Sequence, residues 1–181
     1  MIKKWIGALT AVVLAFWLGG CVSPTSGLLP YSDVKDGYRF LYPNGWVQKS
    51  VQGGADVLFH DIIQPLENVS VVIGELKSVQ KLADLGSPQA VGERVRDRII
   101  APPESNRKAE LVSATSQVFN GREYYLLEYA IDLGNGRQRH DLVSVTANNR
   151  RLYTLDISAP ENRWGKVKDM FEQVVKSFQV E

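Results

Sequence analysis

The sequence is short of the residues that most often carry chemistry. It has one cysteine and two histidines in 181 residues. One cysteine excludes an internal disulfide. Charge of either sign is not in excess, with a formal net charge of +1. A balanced surface indicates no nucleic acid partner and no attraction to anionic headgroups. Catalytic and nucleotide signatures are missing as well: there is no G-x-S-x-G elbow, no G-x-G-x-x-G, no P-loop and no H-E-x-x-H. "GNGR" at 134–137 is a hairpin turn, because no helix follows it. These residues describe a binding module, not an enzyme.

What is present is concentrated at the start. Lys3 and Lys4 precede an apolar stretch, Trp5 to Leu18, broken only by Gly7 and Thr10. That length suits a signal-peptide core and falls short of the roughly 20 residues that span a bilayer. Leu18-Gly19-Gly20-Cys21 then has the form of a bacterial lipobox: a large aliphatic residue, two small ones and cysteine. The expectation is a signal peptide over residues 1–20, lipidation at Cys21, a flexible tether over 21–30 and one domain over 31–181. The alternative is an anchor helix with an incidental cysteine. A buried methylene contributes about 0.8 kcal/mol and stable anchoring takes two chains, which one diacylglyceryl thioether supplies. The thiol is then consumed, which leaves none for catalysis or for thiolate metal ligation. Removing residues 1–20 takes Lys3 and Lys4 with it, leaving 19 basic residues against 20 acidic ones. The tether "VSPTSGLLP" holds the domain at most about 30 Å from the lipid, at about 3.3 Å per residue.

Along the body, strand-like runs alternate with turns. "YRFLYP", the Asn44-Gly45 turn and "WVQKSV" read as a hairpin. "VLFHDII" and "NVSVVIGEL" are β-branched runs joined by "QPLE". Ser87 and Pro88 open a helix whose Val91, Val95 and Ile99 recur every fourth residue. Four strands follow the polar loop 101–108, with turns at Asn120-Gly121, "DLGNGRQ" and "NNR". A final amphipathic helix carries Trp164, Val167, Phe171, Val174, Val175 and Phe178 on one stripe. The fold class is α+β: a central antiparallel sheet flanked by helices.

The two histidines each precede an aspartate, as His60-Asp61 and His140-Asp141. Neighbouring strand residues point to opposite faces, so neither pair closes on one ion from a regular strand.

Four segments in order resemble the PsbP family: "GYRFLYPNGW", "DLGSP", "GREYYLLEY", and "RHDLVSVTANNRRLYTLDISAPENRW" ending in Arg163-Trp164, all within residues 30–181. The lipobox makes the chain similar to the family's cyanobacterial lipoprotein branch. The resemblance implies an α/β/α sandwich. It also implies a place on the lumenal face of the thylakoid membrane, and a non-catalytic accessory or assembly role with photosystem II core subunits or assembly intermediates as partners. In plants the family helps retain the calcium and chloride of the oxygen-evolving complex through an N-terminal extension that "VSPTSGLLP" does not match. No cofactor is required. Surface zinc, manganese or calcium is implied at positions corresponding to His140 and Glu161, with His60 and Asp61 as a second candidate. Imidazole plus carboxylate suits Zn²⁺ or Mn²⁺, with waters completing the shell. For Glu161 a capping box with Ser158, in the S-x-x-E pattern, competes with that role. Arg94, Arg98 and the loop 101–108 are the candidate contact surface for a protein partner.

The anchor is tested by Cys21→Ser. The variant is expected to fold but to remain unprocessed or to leave the membrane fraction. Full membrane retention after signal cleavage would rule out lipidation at this residue.

Overall fold

The computed structural model describes residues 27–78 and 81–181. The expected signal segment, residues 1–20, and Cys21 lie outside the described residues. Ten strands and two α-helices follow in order: β1 (Leu28–Asp33), β2 (Tyr38–Pro43), β3 (Trp46–Gln48), β4 (Val57–Asp61), β5 (Asn68–Glu75), α1 (Pro88–Val95), β6 (Lys108–Phe119), β7 (Arg122–Asp132), β8 (Gln138–Asn148), β9 (Arg151–Pro160), α2 (Glu161–Ser177) and β10 (Gln179–Val180). Seven strands form one antiparallel sheet in the order β3-β4-β5-β9-β8-β7-β6, and β1-β2-β10 form a smaller one. The α+β expectation holds.

The sheet is buried on both faces at its centre, because side chains alternate along each strand. Leu142 of β8 and Leu155 and Ile157 of β9 join a core with Trp164, Phe171 and Val174 of α2. Val143 and Val145 point the other way, into a core with Val91 and Val95 of α1. Helices therefore cover opposite faces, and the small sheet shares the α2 face through Tyr38 and Phe40.

α1 starts as its sequence requires: Ser87 caps it, accepting from the Ala90 amide at 3.2 Å, with Pro88 in the first turn. It lies close to the sheet because residue 92 is glycine; a Cβ there would sit 2.7 Å from Leu111 Cδ2. The hydroxyls of Tyr125 and Tyr129 donate to the Gly86 and Gly92 carbonyls at 2.9 and 2.8 Å. The four-residue repeat stops at Val95. Arg96–Ile100 form a π turn, which adds one residue, and Ile100 takes the core position that the repeat assigns to Ile99.

Three other expectations are corrected. Asn44-Gly45 is a turn, with Gly45 at φ 87°, but not a hairpin: β2 pairs with β1, and β3 pairs with β4. The turn carries the chain from the small sheet to the large one. Leu28–Pro30, expected in the tether, are the first half of β1. Pro30 is tolerated there because β1 is an edge strand. The capping box is absent. Strand β9 runs on through Pro160, so Ser158 is buried in the sheet and Pro160 stands at the helix N-cap without a side-chain hydrogen bond.

Phe171 is fully buried, with edge-on contacts to Trp46 and Trp164 at 5.9 and 6.3 Å between ring centroids. Phe171→Ala is expected to lower the unfolding free energy by about 3–5 kcal/mol in denaturant titration. A loss below about 1 kcal/mol would mean that α2 does not dock as described.

Candidate functional site

The strand ends that lead into α2 hold most of the sequence-selected side chains. Register places Ala130 of β7, His140 of β8 and Ala159 of β9 side by side, facing α2. The first turn of α2 then lays Trp164 flat on the His140 ring, with centroids 4.8 Å apart and planes 8° apart. Glu161, in that same turn, bonds His140 Nδ1 through Oε2. On the other side of the ring, Glu128 Oε1 lies 3.9 Å from Nε2. Lys168 reaches Glu128 at 3.1 and 3.3 Å and stands 5.4 Å over the Trp164 ring. The result is a row of polar side chains, Glu161–His140–Glu128–Lys168, with the His140 ring and the Lys168 ammonium over one indole. The imidazole side chain is 14% exposed.

The structure thus brings His140 and Glu161 together, and adds Glu128, which sequence reasoning missed. Glu128 lies twelve residues before His140 and reaches it only through β7–β8 pairing. The two carboxylates approach different ring nitrogens, so one ion cannot collect all three groups in this ring orientation. A cation on Nδ1 would have His140 and Glu161 as protein ligands and water for the rest, a weak two-ligand site.

His60 and Asp61 are not brought together. His60 faces the α1 side, and its Nδ1 lies 3.1 Å from the Asp61 carbonyl. The Asp61 carboxylate accepts from the Ile63 and Gln64 amides at 2.6 and 3.1 Å, holding its own turn. Arg94 is exposed and donates from its guanidinium to the Leu85 carbonyl. Arg98 is exposed on the π turn.

Arg163 explains why the Arg-Trp pair stands out. Its Nε bonds Glu67 Oε1 at 2.6 Å, and Glu67 is 2% exposed. A buried carboxylate without a partner is costly, so Arg163 ties the helix start to the loop between β4 and β5. That loop, the β7–β8 turn and the start of α2 enclose a cleft of about 670 Å³, lined by Leu66, Asn68, Leu133, Arg137, Arg139 and Asn162 among others. A smaller cleft of about 420 Å³ opens beside it, with His140 and Glu161 in its wall.

On the opposite face of β8, Arg139 bonds the fully buried Asp141 at 2.7 Å. Asp141 Oδ1, Asp156 Oδ1, Ser158 Oγ and Arg139 Nε have no hydrogen-bond partner among the described residues. Burial pushes the Asp141 carboxyl well up, with the Asp156 charge adding to it and Arg139 opposing. Burial likewise pushes Asp156 up to about 6, against the pull of Arg139 and Arg107. At the far end of the strands, carboxylates of Asp33, Asp36 and Asp56 converge. No spacing in the sequence brings Asp56 to the other two. They are engaged already: Tyr38 donates to Asp56 at 2.5 Å and Arg151 to Asp36 at 2.8 Å.

Residues 26–180 match the PsbP family. The chain is 49% identical over 184 residues to CyanoP of Thermosynechococcus vestitus, covering 99% of this chain and 100% of that protein. It is 37% identical to PsbP-like protein 1, chloroplastic, of Arabidopsis thaliana, covering 99% of this chain and 74% of that one. The solution structure of CyanoP from Synechocystis sp. PCC 6803 superposes with a TM-score of 0.74 at 44% identity, covering 91% of this chain and 99% of that chain.

Asp156 generates a pH prediction. Its folded-state value lies above the ordinary 3.8, so the native state holds a proton that the unfolded chain has lost between about pH 4 and 6. This group therefore favours the fold at low pH, and its contribution, up to about 3 kcal/mol, disappears as pH rises through 6. Asp156→Asn is expected to remove that slope from stability measured between pH 4 and 7. An unchanged slope would show that Asp156 does not titrate there.

Proposed function

The chain belongs to the PsbP family, and from that membership we propose that it is a photosystem II-associated accessory protein that acts by binding rather than by catalysis. It is held by lipid at Cys21 on the lumenal face of the thylakoid membrane, where it engages photosystem II core subunits or assembly intermediates. The observation that carries this reading is the breadth of the match: residues 26–180, with a cyanobacterial relative aligned over its whole length. The binding role is supported by where the perturbed carboxylates sit. Asp141 is fully buried, Asp156 is half-buried, and neither lines either cleft. Perturbed groups in a cleft are what a catalytic site would offer.

The deciding experiment is affinity capture of the tagged mature protein from solubilised thylakoids, with mass spectrometry of what is retained. Enrichment of photosystem II core or assembly subunits is expected. Normal membrane anchoring without any photosystem II subunit would reject the accessory role.

The bond between His140 and Glu161 favours a second reading, in which the protein carries a divalent cation at the lumenal surface. Calorimetric titration with Zn²⁺, Mn²⁺ and Ca²⁺ tests it. His140→Ala is expected to lose any Zn²⁺ or Mn²⁺ binding seen with the native chain, and equal binding by both would dismiss this site.

A further inference from the structure

We propose that the loop between β4 and β5 is a second membrane contact, inserting Ile62, Ile63 and Leu66 into the headgroup region of the bilayer that carries the Cys21 lipid. The inference rests on the lipid anchor proposed above.

Three large apolar side chains stand exposed within five residues: Ile62 at 61%, Ile63 at 83% and Leu66 at 56%. Pro65, between them, is exposed too. Concentrated apolar exposure of this kind marks a contact surface, whereas single exposed residues do not. The charges that bracket the tip are held by the protein to different degrees. Asp61 accepts from the Ile63 and Gln64 amides through Oδ1, and Glu67 is buried on Arg163. The same contacts hold the tip in shape, so presenting it to a lipid surface needs little further ordering. Arg137, exposed on the neighbouring turn, lines the cleft with Leu66 and suits a headgroup phosphate.

The occupant follows from where the chain enters the fold. Leu28 is registered with Pro43, and the Gly27 carbonyl accepts from the Asn44 amide at 2.8 Å. Two residues beyond Asn44, Trp46 is registered with Asp61, where the loop begins. Gly27 and the loop therefore share one end of the molecule. Cys21 is six residues before Gly27, a reach of about 20 Å at most. A lipid at Cys21 draws this end, and not the Asp33–Asp36–Asp56 end, towards the bilayer. Interfacial apolar groups bury about 5–10 Å into the boundary between headgroups and acyl chains, a depth that side chains at a loop tip can reach.

The test uses the mature lipidated protein in phosphatidylcholine–phosphatidylglycerol vesicles containing doxyl-labelled lipid. Ile63→Cys and Val34→Cys each place one free thiol for an environment-sensitive fluorophore, since the Cys21 sulfur is held in its thioether. Val34 is 91% exposed in the β1–β2 turn at the far end. The label at 63 is expected to shift to the blue and to be quenched at least about threefold more than the label at 34, as interfacial depth requires. Vesicle flotation with equal quenching at both positions would overturn the membrane contact while leaving the anchor intact. Failure of both proteins to float would overturn the anchor and this inference together. Shielding at 63 that appears only on adding photosystem II cores would make the loop a protein contact and overturn the proposal.

Discussion

The first turn of α2 holds one end of the molecule together. Three of its side chains reach two partners on different strands' ends: Glu161 and Trp164 fix His140 of β8, and Arg163 fixes Glu67 beside β5. Each contact depends on the others, because all three leave a single helical turn whose start is set by Pro160. The buried stripe from Trp164 to Val175 then follows without further choice of rotation. The loop between β4 and β5, the Glu161–His140–Glu128–Lys168 row and both clefts take their shape from this junction.

Beyond the junction, the molecule is unlike at its two ends. One presents aliphatic side chains and arginines; the other gathers Asp33, Asp36 and Asp56. The central strands separate them, and they carry a polar patch where apolar packing would be expected. Arg139, Asp141, Asp156 and Ser158 interrupt the α1 face of β8 and β9. Buried ionic groups of this kind are weak contributors to stability, since desolvation offsets attraction.

Much of this was legible in the sequence because it is local. Asn120-Gly121 and the "NNR" turn join strands adjacent in the chain, so β6 to β9 could be read as a meander. Ser87-Pro88 marks a helix start with backbone chemistry that needs no tertiary partner. Where the reading failed, a distant element decided the outcome. Asn44-Gly45 specifies a turn but not a pairing partner, and β4 outcompetes β2 for β3. Ser158 has the right spacing to cap α2, but strand pairing with Asp141 claims its backbone first. The Ile99 stripe assumes 3.6 residues per turn, and the π turn breaks that period. At the candidate site, His140 and Glu161 were legible through family resemblance, while Glu128 was not, because strand register alone makes it a neighbour. The cleft and the exposed loop were invisible for the same reason: surface shape is a property of the assembled ends of strands.

The small sheet has one more consequence. Its middle strand, β2, receives β1 from next door but β10 from far away: Arg39 bonds Gln179 across 140 residues of sequence. The Val180 amide also donates to Tyr124 at 3.1 Å, and the Glu181 amide to the Gly37 carbonyl at 2.8 Å. Pairings this distant form late, because the closure entropy of the intervening chain must be overcome first. A polypeptide threaded through a translocation pore from its amino end would therefore keep this sheet open until almost all of the domain had emerged. In such a passage the stitch at β10 would time folding to its end.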